Sequence, residues 1–215
     1  MTGGARRPRS TLLAGAAVLA VAAACVPSGR AAAQERGAWS VLDRGVLELR
    51  AGAVSPKGDL GDVADDGQLF GVGLRYRLLP RFALGVEGTL SNLERGGDPE
   101  LLGGSAGPDV ELWHYMATAS LELTDPVRSR WEIVLHAGAG GTHVSGDAVA
   151  SLPEVSTDEA TVSAAVDGGY DVTEAVTFFF RADGYMLLGE AGDPEQPYVG
   201  KEVVLTHTAG LRIGL

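Results

Sequence analysis

The sequence predicts an all-β fold, namely an eight-stranded antiparallel up-and-down transmembrane β-barrel whose two chain ends lie on the same side of the bilayer. Three observations predict this fold. Eight segments alternate apolar residues with polar or small ones at a period of two, which is typical of strands with two different faces. The connections between these segments alternate between short and long. After the first residues, no long stretch holds a helical period.

Residues 1–33 have the features of a cleaved export signal. A basic start, RRPR at 6–9, precedes an apolar run over 11–24, and three alanines end the segment. The apolar run is too short to span a bilayer as a helix. Residues 34–44 then form a short lead-in to the barrel. Cys25 leaves a second processing route open, in which it becomes a lipidated N-terminus.

The composition excludes several classes of protein. The 215 residues carry a formal net charge of -11, and because the leader holds four arginines and no acid, 13 bases and 28 acids remain after cleavage. Such an acidic chain is not expected to bind nucleic acid, whose phosphates require a basic surface. A single cysteine excludes an intrachain disulfide framework, and a hydrophobic content of 45% is too high for a disordered chain.

The strands and their connections follow one another in a regular order. The predicted strands cover 45–54, 68–78, 82–92, 111–123, 130–142, 160–170, 175–188 and 203–215. The short connections are 79–81, 124–129 and 171–174. The long connections, rich in Gly, Pro, Asp and Glu, are 55–67, 93–110, 143–159 and 189–202. Three short turns at one end and four long loops at the other are the layout of a membrane barrel with an even number of strands.

The alternation also assigns the two faces of each strand. In the first strand, Leu47 and Leu49 share one face, whereas Glu48 and Arg50 share the other. We assign the apolar faces to lipid because aromatic residues cluster near both ends of the strands, as in the girdles at membrane interfaces. These aromatics are Tyr76, Phe82, Trp131, Tyr170 and Phe178 near the turns, with Phe70 and Trp113 near the loops.

On these grounds the chain resembles the small eight-stranded outer-membrane barrels of Gram-negative bacteria, the OmpA-like and OmpX-like families. The resemblance covers 45–215 and includes the turn segment YRLLPRF at 76–82 and the terminal GLRIGL at 210–215. It implies export to the bacterial outer membrane, two periplasmic termini and insertion by the barrel-assembly machinery. Members of these families usually end in an aromatic residue, whereas this chain ends in Leu215.

The inward faces carry charges of both signs. Buried ions cost several kcal/mol each unless they are paired, so we expect a luminal ion-pair network. Its predicted members are Glu48, Arg50, Arg75, Glu87, Glu122, Glu132, Asp167, Arg181, Asp183 and Arg212. The small luminal residues Gly71, Gly73, Gly138, Gly140, Ser163 and Ala165 further predict a wet pocket that opens at the loop end and has the charges as its floor.

The long loops hold many more acidic than basic residues. Solvated loops that keep a surface protein hydrated explain this excess, and divalent cations that bridge loop carboxylates to anionic lipids are the alternative. Asp59, Asp62, Asp65 and Asp66 form the densest acidic cluster, but their spacing is not that of an EF-hand. The expected partners are outer-membrane lipid and lipopolysaccharide, and the barrel is expected to be a monomer without a cofactor.

Catalysis has weaker support in the sequence. The four histidines are scattered and no G-x-S-x-G motif is present, although Ser145 follows His143 by two residues near a strand end. The sequence therefore predicts a non-enzymatic barrel for envelope integrity or for surface interaction through four acidic extracellular loops. A narrow conduit for small solutes or ions, a lipid-modifying enzyme and a soluble lipocalin-like binder are the alternatives.

Overall fold

A computed structural model describes residues 45–96, 109–124, 129–146, 155–188 and 202–215. The predicted signal peptide 1–33, the lead-in 34–44 and Cys25 lie outside the described residues. The elements are β1 Gly45–Lys57, α1 Asp59–Val63, β2 Ala64–Leu79, β3 Phe82–Arg95, β4 Val110–Glu122, β5 Trp131–Gly146, β6 Val155–Asp171, β7 Val176–Leu187 and β8 Val203–Gly214.

The eight strands form one closed antiparallel barrel in sequence order, which confirms the predicted fold. Each strand pairs with its sequence neighbours, and β1 closes the sheet by pairing with β8, where Leu49 lies opposite Leu211. We call the end that carries Gly45, Leu215 and the turn at Pro80 the turn end, and the opposite end the loop end. The single described helix, α1, has five residues. No helix in the described part of the chain is long and apolar enough to cross a bilayer.

Most strands extend further toward the loop end than the sequence predicts. The predicted first loop, 55–67, is reduced to Gly58 and α1, because β1 continues to Lys57 and β2 begins at Ala64. β6 likewise begins at Val155 rather than at residue 160. Backbone hydrogen bonds continue where the outward side chains become polar, so loss of the apolar alternation marks the edge of the apolar belt and not the end of the strand.

The outer wall of the barrel is a belt of exposed apolar side chains. Trp131 and Phe180 are 66% and 63% exposed, and many Leu, Val and Ile side chains beside them are also exposed. The inward residues of the same strands are buried, as the alternating burial of β4 shows. Exposed apolar surface on this scale requires lipid, since a soluble barrel would place these side chains inside.

The interior is divided into layers along the barrel axis. Charged and polar side chains fill the middle, whereas an apolar cluster fills the part near the loop end. Leu60 of α1 is 2% exposed and packs into this cluster from above. The other members are Val54, Ala64, Leu69, Leu93, Val110, Leu112, Met116, Val144, Tyr185, Leu187 and Val204.

Candidate functional site in the lumen and at the loop end

The middle of the lumen holds a compact group of opposite charges centred on two arginines. Arg181 on β7 contacts Glu87 on β3 with both terminal nitrogens, at 3.1 and 3.3 Å. It also contacts the Asp183 carboxylate at 2.6 Å. Arg50 on β1 lies 3.3 Å from Glu87 and 3.4 Å from Asp183. These four side chains, which come from three strands, are therefore bound to one another across the lumen.

A second group of charges surrounds Arg212 on β8, closer to the turn end. Its guanidinium bonds Glu132 on β5 and Asp167 on β6, and it lies 3.6 Å from Glu48. Glu48 in turn contacts Arg75 at 2.9 Å and Arg181 at 3.7 Å, so the two groups are continuous.

Nine of the ten predicted luminal residues belong to this connected network. The tenth, Glu122, lies at the turn-end mouth, where it pairs with Arg77 at 3.7 Å. Arg77 was not among the predicted luminal residues. Its inward position could have been recognised from the sequence, because it follows Arg75 by two residues in β2.

The inward glycines make room for the long charged side chains. A Cβ built on Gly71 would lie 2.7 Å from Nε of Arg50, and one on Gly73 would lie 3.5 Å from Cβ of Glu48. A larger residue at Gly71 would displace the arginine. Of the positions that the sequence assigned to a pocket, Gly71 and Gly73 thus border charged side chains of neighbouring strands.

The predicted pocket at the loop end is therefore wrong. Above the charged layer, the lumen is occupied by the apolar cluster, in which Leu69, Leu112 and Val204 are 0% exposed. A cavity of about 330 Å³ lies at the opposite end of the lumen, and its lining includes Arg75, Glu122, Glu132 and Arg212. The sequence pattern did not predict the apolar cluster, because Leu69, Leu112 and Val204 occupy inward positions close to the predicted strand ends. Apolar residues at such positions were interpreted as part of the lipid-facing belt.

A polar chain that the predicted set did not include lies between the two layers. Tyr185 accepts a hydrogen bond from Arg50 at 2.9 Å, and its ring stacks on His114 at a centroid distance of 4.5 Å. His114 Nδ1 is 2.6 Å from the hydroxyl of Thr142, which is 2.7 Å from that of Thr161. His136 lies lower in the lumen, 2.5 Å from Asp167. These residues could have been identified from the sequence, because each occupies an inward-facing position of its strand.

The acidic cluster of the first connection does not form a metal centre among the described side chains. Asp62, Asp65 and Asp66 are exposed, and Asp66 accepts a hydrogen bond from Ser55 at 2.6 Å. The side chain of Asp59 lies outside the described set. Within the described ranges, no three His, Cys, Asp or Glu side chains are grouped so that they could hold a metal ion.

His143 and Asp158 form a separate pair on the outward face at the loop end. They are partners in the β5–β6 register, and Nδ1 of His143 lies 3.0 Å from a carboxylate oxygen of Asp158. Ser145 is two residues further along β5 on the same face, opposite Ser156. Trp113, which is 49% exposed, lies opposite His143 on β4. The pair therefore lies just outside the apolar belt, beside an aromatic residue of the outer girdle.

Similarity to known proteins exists at the level of structure. The chain matches no protein-family model and no curated protein sequence. Neisserial surface protein A is similar to it, with a TM-score of 0.62 and 16% identity over 80% of this chain and 97% of that one.

Two further solved structures have lower scores. The N-terminal β-barrel domain of Pseudomonas aeruginosa OprF has a TM-score of 0.49 and 14% identity over 78% of this chain and 97% of that one. The outer membrane protease OmpT from Escherichia coli has a TM-score of 0.48 and 9% identity over 84% of this chain and 99% of that one.

The closed barrel of eight sequential strands agrees with this similarity. A soluble lipocalin-like binder is inconsistent with the outward position of the apolar faces. The chain has the fold of the small eight-stranded outer-membrane β-barrels, and its exposed apolar belt is suited to a lipid bilayer.

Proposed function

We propose that this protein is a non-enzymatic outer-membrane barrel that acts at its loop end, in envelope integrity or in surface interaction. The observation that carries the proposal is the filled lumen. Leu60, Leu69 and Leu112 close its loop end, and the paired charges around Arg181 fill its middle. A barrel whose lumen is closed at the loop end offers the outer surfaces of that end to partners, and the long acidic connections of the sequence lie there.

The exposed carboxylates at the loop end support this role. Asp65, Asp66 and Glu94 are exposed on the strand extensions, and Glu111 is partly exposed. We propose that these groups and the acidic loops face the exterior, with the turn end in the periplasm. Lipopolysaccharide is then the neighbouring partner, and divalent cations bridge its phosphates to the carboxylates, because hard cations prefer oxygen ligands.

Uptake of a hydrophobic fluorescent dye by cells tests this proposal. Cells that produce the full chain should take up less dye than cells that lack it. The combined variant Asp65→Asn, Asp66→Asn, Glu94→Gln and Glu111→Gln should lose most of that protection. Glu174→Gln, an exposed acid at the turn end, is the control and should retain it. Equal dye uptake with and without the wild-type protein would contradict a role in envelope integrity.

The His143–Asp158 pair favours a second candidate, hydrolysis of a lipid ester at the outer interface. An Asp carboxylate at Nδ1 orients the imidazole and leaves Nε2 free to act as a base. In this scheme, Ser145 attacks the ester carbonyl while Nε2 takes its proton. The lipid alcohol leaves with that proton, and water then hydrolyses the acyl-serine to release the fatty acid.

Release of fatty acid from ester-lipid vesicles that contain the purified barrel tests this candidate. Ser145→Ala and His143→Ala should each lower the rate about 10²–10⁴-fold, because each removes a participant in proton transfer or attack. Ser156→Ala is the control, since this serine lies opposite Ser145 but has no histidine on its own strand face. The candidate fails if wild-type protein releases no fatty acid, or if Ser145→Ala retains the full rate.

A further inference from the structure

His207 is a polar side chain on the lipid-facing side of β8. Its outward neighbours along the strand are Leu205 and Ala209, and the residues paired with it are Ala182 on β7 and Ala53 on β1. The imidazole is exposed, and within the described ranges it has no hydrogen-bond or ion-pair partner. A polar group on the lipid face of a barrel is costly, so its presence there indicates a contact that uses it.

The depth of His207 places it inside the apolar belt. It lies seven residues from Gly214, where β8 ends at the turn end. A rise of about 3.3 Å per residue and a tilt of about 40° put it roughly 18 Å above that end, within an apolar band about 25 Å tall. Leu205 on its own strand and Met186 on β7, both exposed, lie closer to the loop end and continue the apolar surface above it.

Small residues beside His207 form a shallow groove in the wall. The groove has a volume of about 710 Å³ and extends from Ile133 and Val166 on β5 and β6 to β1. Beside His207 its lining includes the small residues Ala51, Gly168, Ala182 and Ala209. A Cβ built on Gly168 would contact nothing within 4 Å. Phe180, which is 63% exposed, borders the groove as its largest projecting side chain. Small residues of this kind allow two membrane-embedded surfaces to approach closely.

The depth of the imidazole distinguishes between the occupants that could contact it. Ester and phosphate groups of lipids lie at the edges of the apolar band, so neither leaflet offers a hydrogen-bonding group at this level. A second copy of the chain offers such a hydrogen-bonding group, because a twofold axis along the membrane normal brings identical residues to the same depth. A neutral imidazole carries one donor and one acceptor nitrogen, so two His207 side chains can bond each other.

We propose that the wall formed by β7, β8 and β1 is a homodimer interface centred on His207. In a twofold arrangement, β8 faces the β8 strand of the partner, and β7 of each copy faces β1 of the other. The projecting Phe180 of one copy then lies against the small side chains around Ala51 of the other. This interface differs from the monomer expected from the sequence, and it is independent of the role of the loops.

The dimer dissociation constant of the purified full-length barrel tests the proposal. It would be measured by sedimentation equilibrium in density-matched micelles and by energy transfer between labelled copies in lipid vesicles. His207→Leu keeps a side chain of similar bulk but removes the hydrogen bond, and Ala209→Phe adds bulk at the centre of the wall. Each should weaken the wild-type dimer at least about tenfold, which corresponds to about 1.4 kcal/mol.

Ala117→Phe is the matched control for Ala209→Phe. Ala117 faces outward on β4, on the opposite wall, and lies five residues from the turn-end residue Glu122, as Ala209 lies five from Gly214. This control should dimerise as the wild type does. Heat-modifiable gel mobility confirms that each variant is folded. The proposal is overturned if the wild type is monomeric in vesicles at every protein-to-lipid ratio, or if folded His207→Leu and Ala209→Phe dimerise as tightly as the wild type.

Discussion

Arg181 and Glu87 face each other across the full width of the barrel and are joined by two parallel contacts of 3.1 and 3.3 Å. They lie on β7 and β3, which are opposite strands of the closed sheet. Both side chains are almost fully buried. A two-point contact of this kind fixes the separation of the two walls as well as neutralising both charges.

Removing one member of this pair should destabilise the barrel strongly. Glu87→Gln leaves Arg181 and Arg50 with one carboxylate fewer in a buried site, which we expect to cost about 3–5 kcal/mol of unfolding free energy. Urea unfolding of the barrel in vesicles, followed by tryptophan fluorescence, measures this cost.

The double variant Glu87→Leu with Arg181→Met is the comparison for Glu87→Gln. It removes both charges and should recover a large part of the loss, because an apolar pair does not leave an unpaired buried ion. If Glu87→Gln unfolds at the same urea concentration as the wild type, the pair does not carry the stability assigned to it.

Because the apolar cluster closes the loop end, the wild-type barrel should have almost no ion conductance in a planar bilayer. The combined variant Leu60→Ser, Leu69→Ser and Leu112→Ser replaces buried apolar side chains with small polar ones and should raise the single-channel conductance severalfold. Val134→Ser is the control, since Val134 is buried but lines the turn-end cavity below the charged layer. Frequent large openings of the wild type would instead support the conduit.

Close contacts with β1 and with the ring of Phe179 should make Gly210 intolerant of a side chain. A Cβ on Gly210 would lie 2.3 Å from the backbone carbonyl oxygen of Leu49, and 2.7 and 2.8 Å from two ring carbons of Phe179. The centroid of that ring lies 4.3 Å from the guanidinium carbon of Arg212. Gly210→Val should therefore cost at least about 1–3 kcal/mol of unfolding free energy through overpacking.

Gly184→Val is the comparison for this change. A Cβ at Gly184 would meet only Leu205, at 3.7 Å, so the variant should unfold close to the wild-type midpoint. Equal midpoints for Gly210→Val and the wild type would contradict the overpacking expected at this position.

The aromatic pair at the turn end should anchor the barrel in the bilayer. The rings of Trp131 and Tyr170 lie 4.9 Å apart, and Trp131 is 66% exposed to the region occupied by lipid. Trp131→Ala should lower the unfolding free energy by about 0.5–1.5 kcal/mol through the lost ring contact, with a further loss from the interface. Unfolding in vesicles measures it, with the exposed loop-end Trp113→Ala as the comparison variant. An unchanged unfolding midpoint for Trp131→Ala would contradict an anchoring role for the Trp131–Tyr170 pair.

The barrel could be predicted from the sequence because each strand carries its own evidence. The alternation of Leu47 and Leu49 with Glu48 and Arg50 reports two environments without reference to any other part of the chain. The same local evidence misjudges where the strands end. At Lys57 and Val155, pairing continues outside the apolar belt, where neither face has to be apolar.

The contents of the lumen show the limit of such local evidence. Inward charges such as Arg50 and Asp183 could be identified from the strand register, but their partners could not. Arg181 meets Glu87, which lies 94 residues away in the sequence. Gly71 could border an open pocket or accommodate the side chain of Arg50, and the neighbouring strand decides between the two. The residue pattern within a single strand does not contain this information.

The sequence by itself determined the number of strands, the face that meets lipid and the end that carries the long connections, because a period of two is imposed on each strand by its own two surroundings. Only the tertiary structure decided which charges are joined, that Leu60 and Leu112 close the loop end, and that a luminal cavity lies at the turn end. Those features depend on closure of the sheet, which brings residues of distant strands to the same level of one narrow interior and leaves them to compete for its volume.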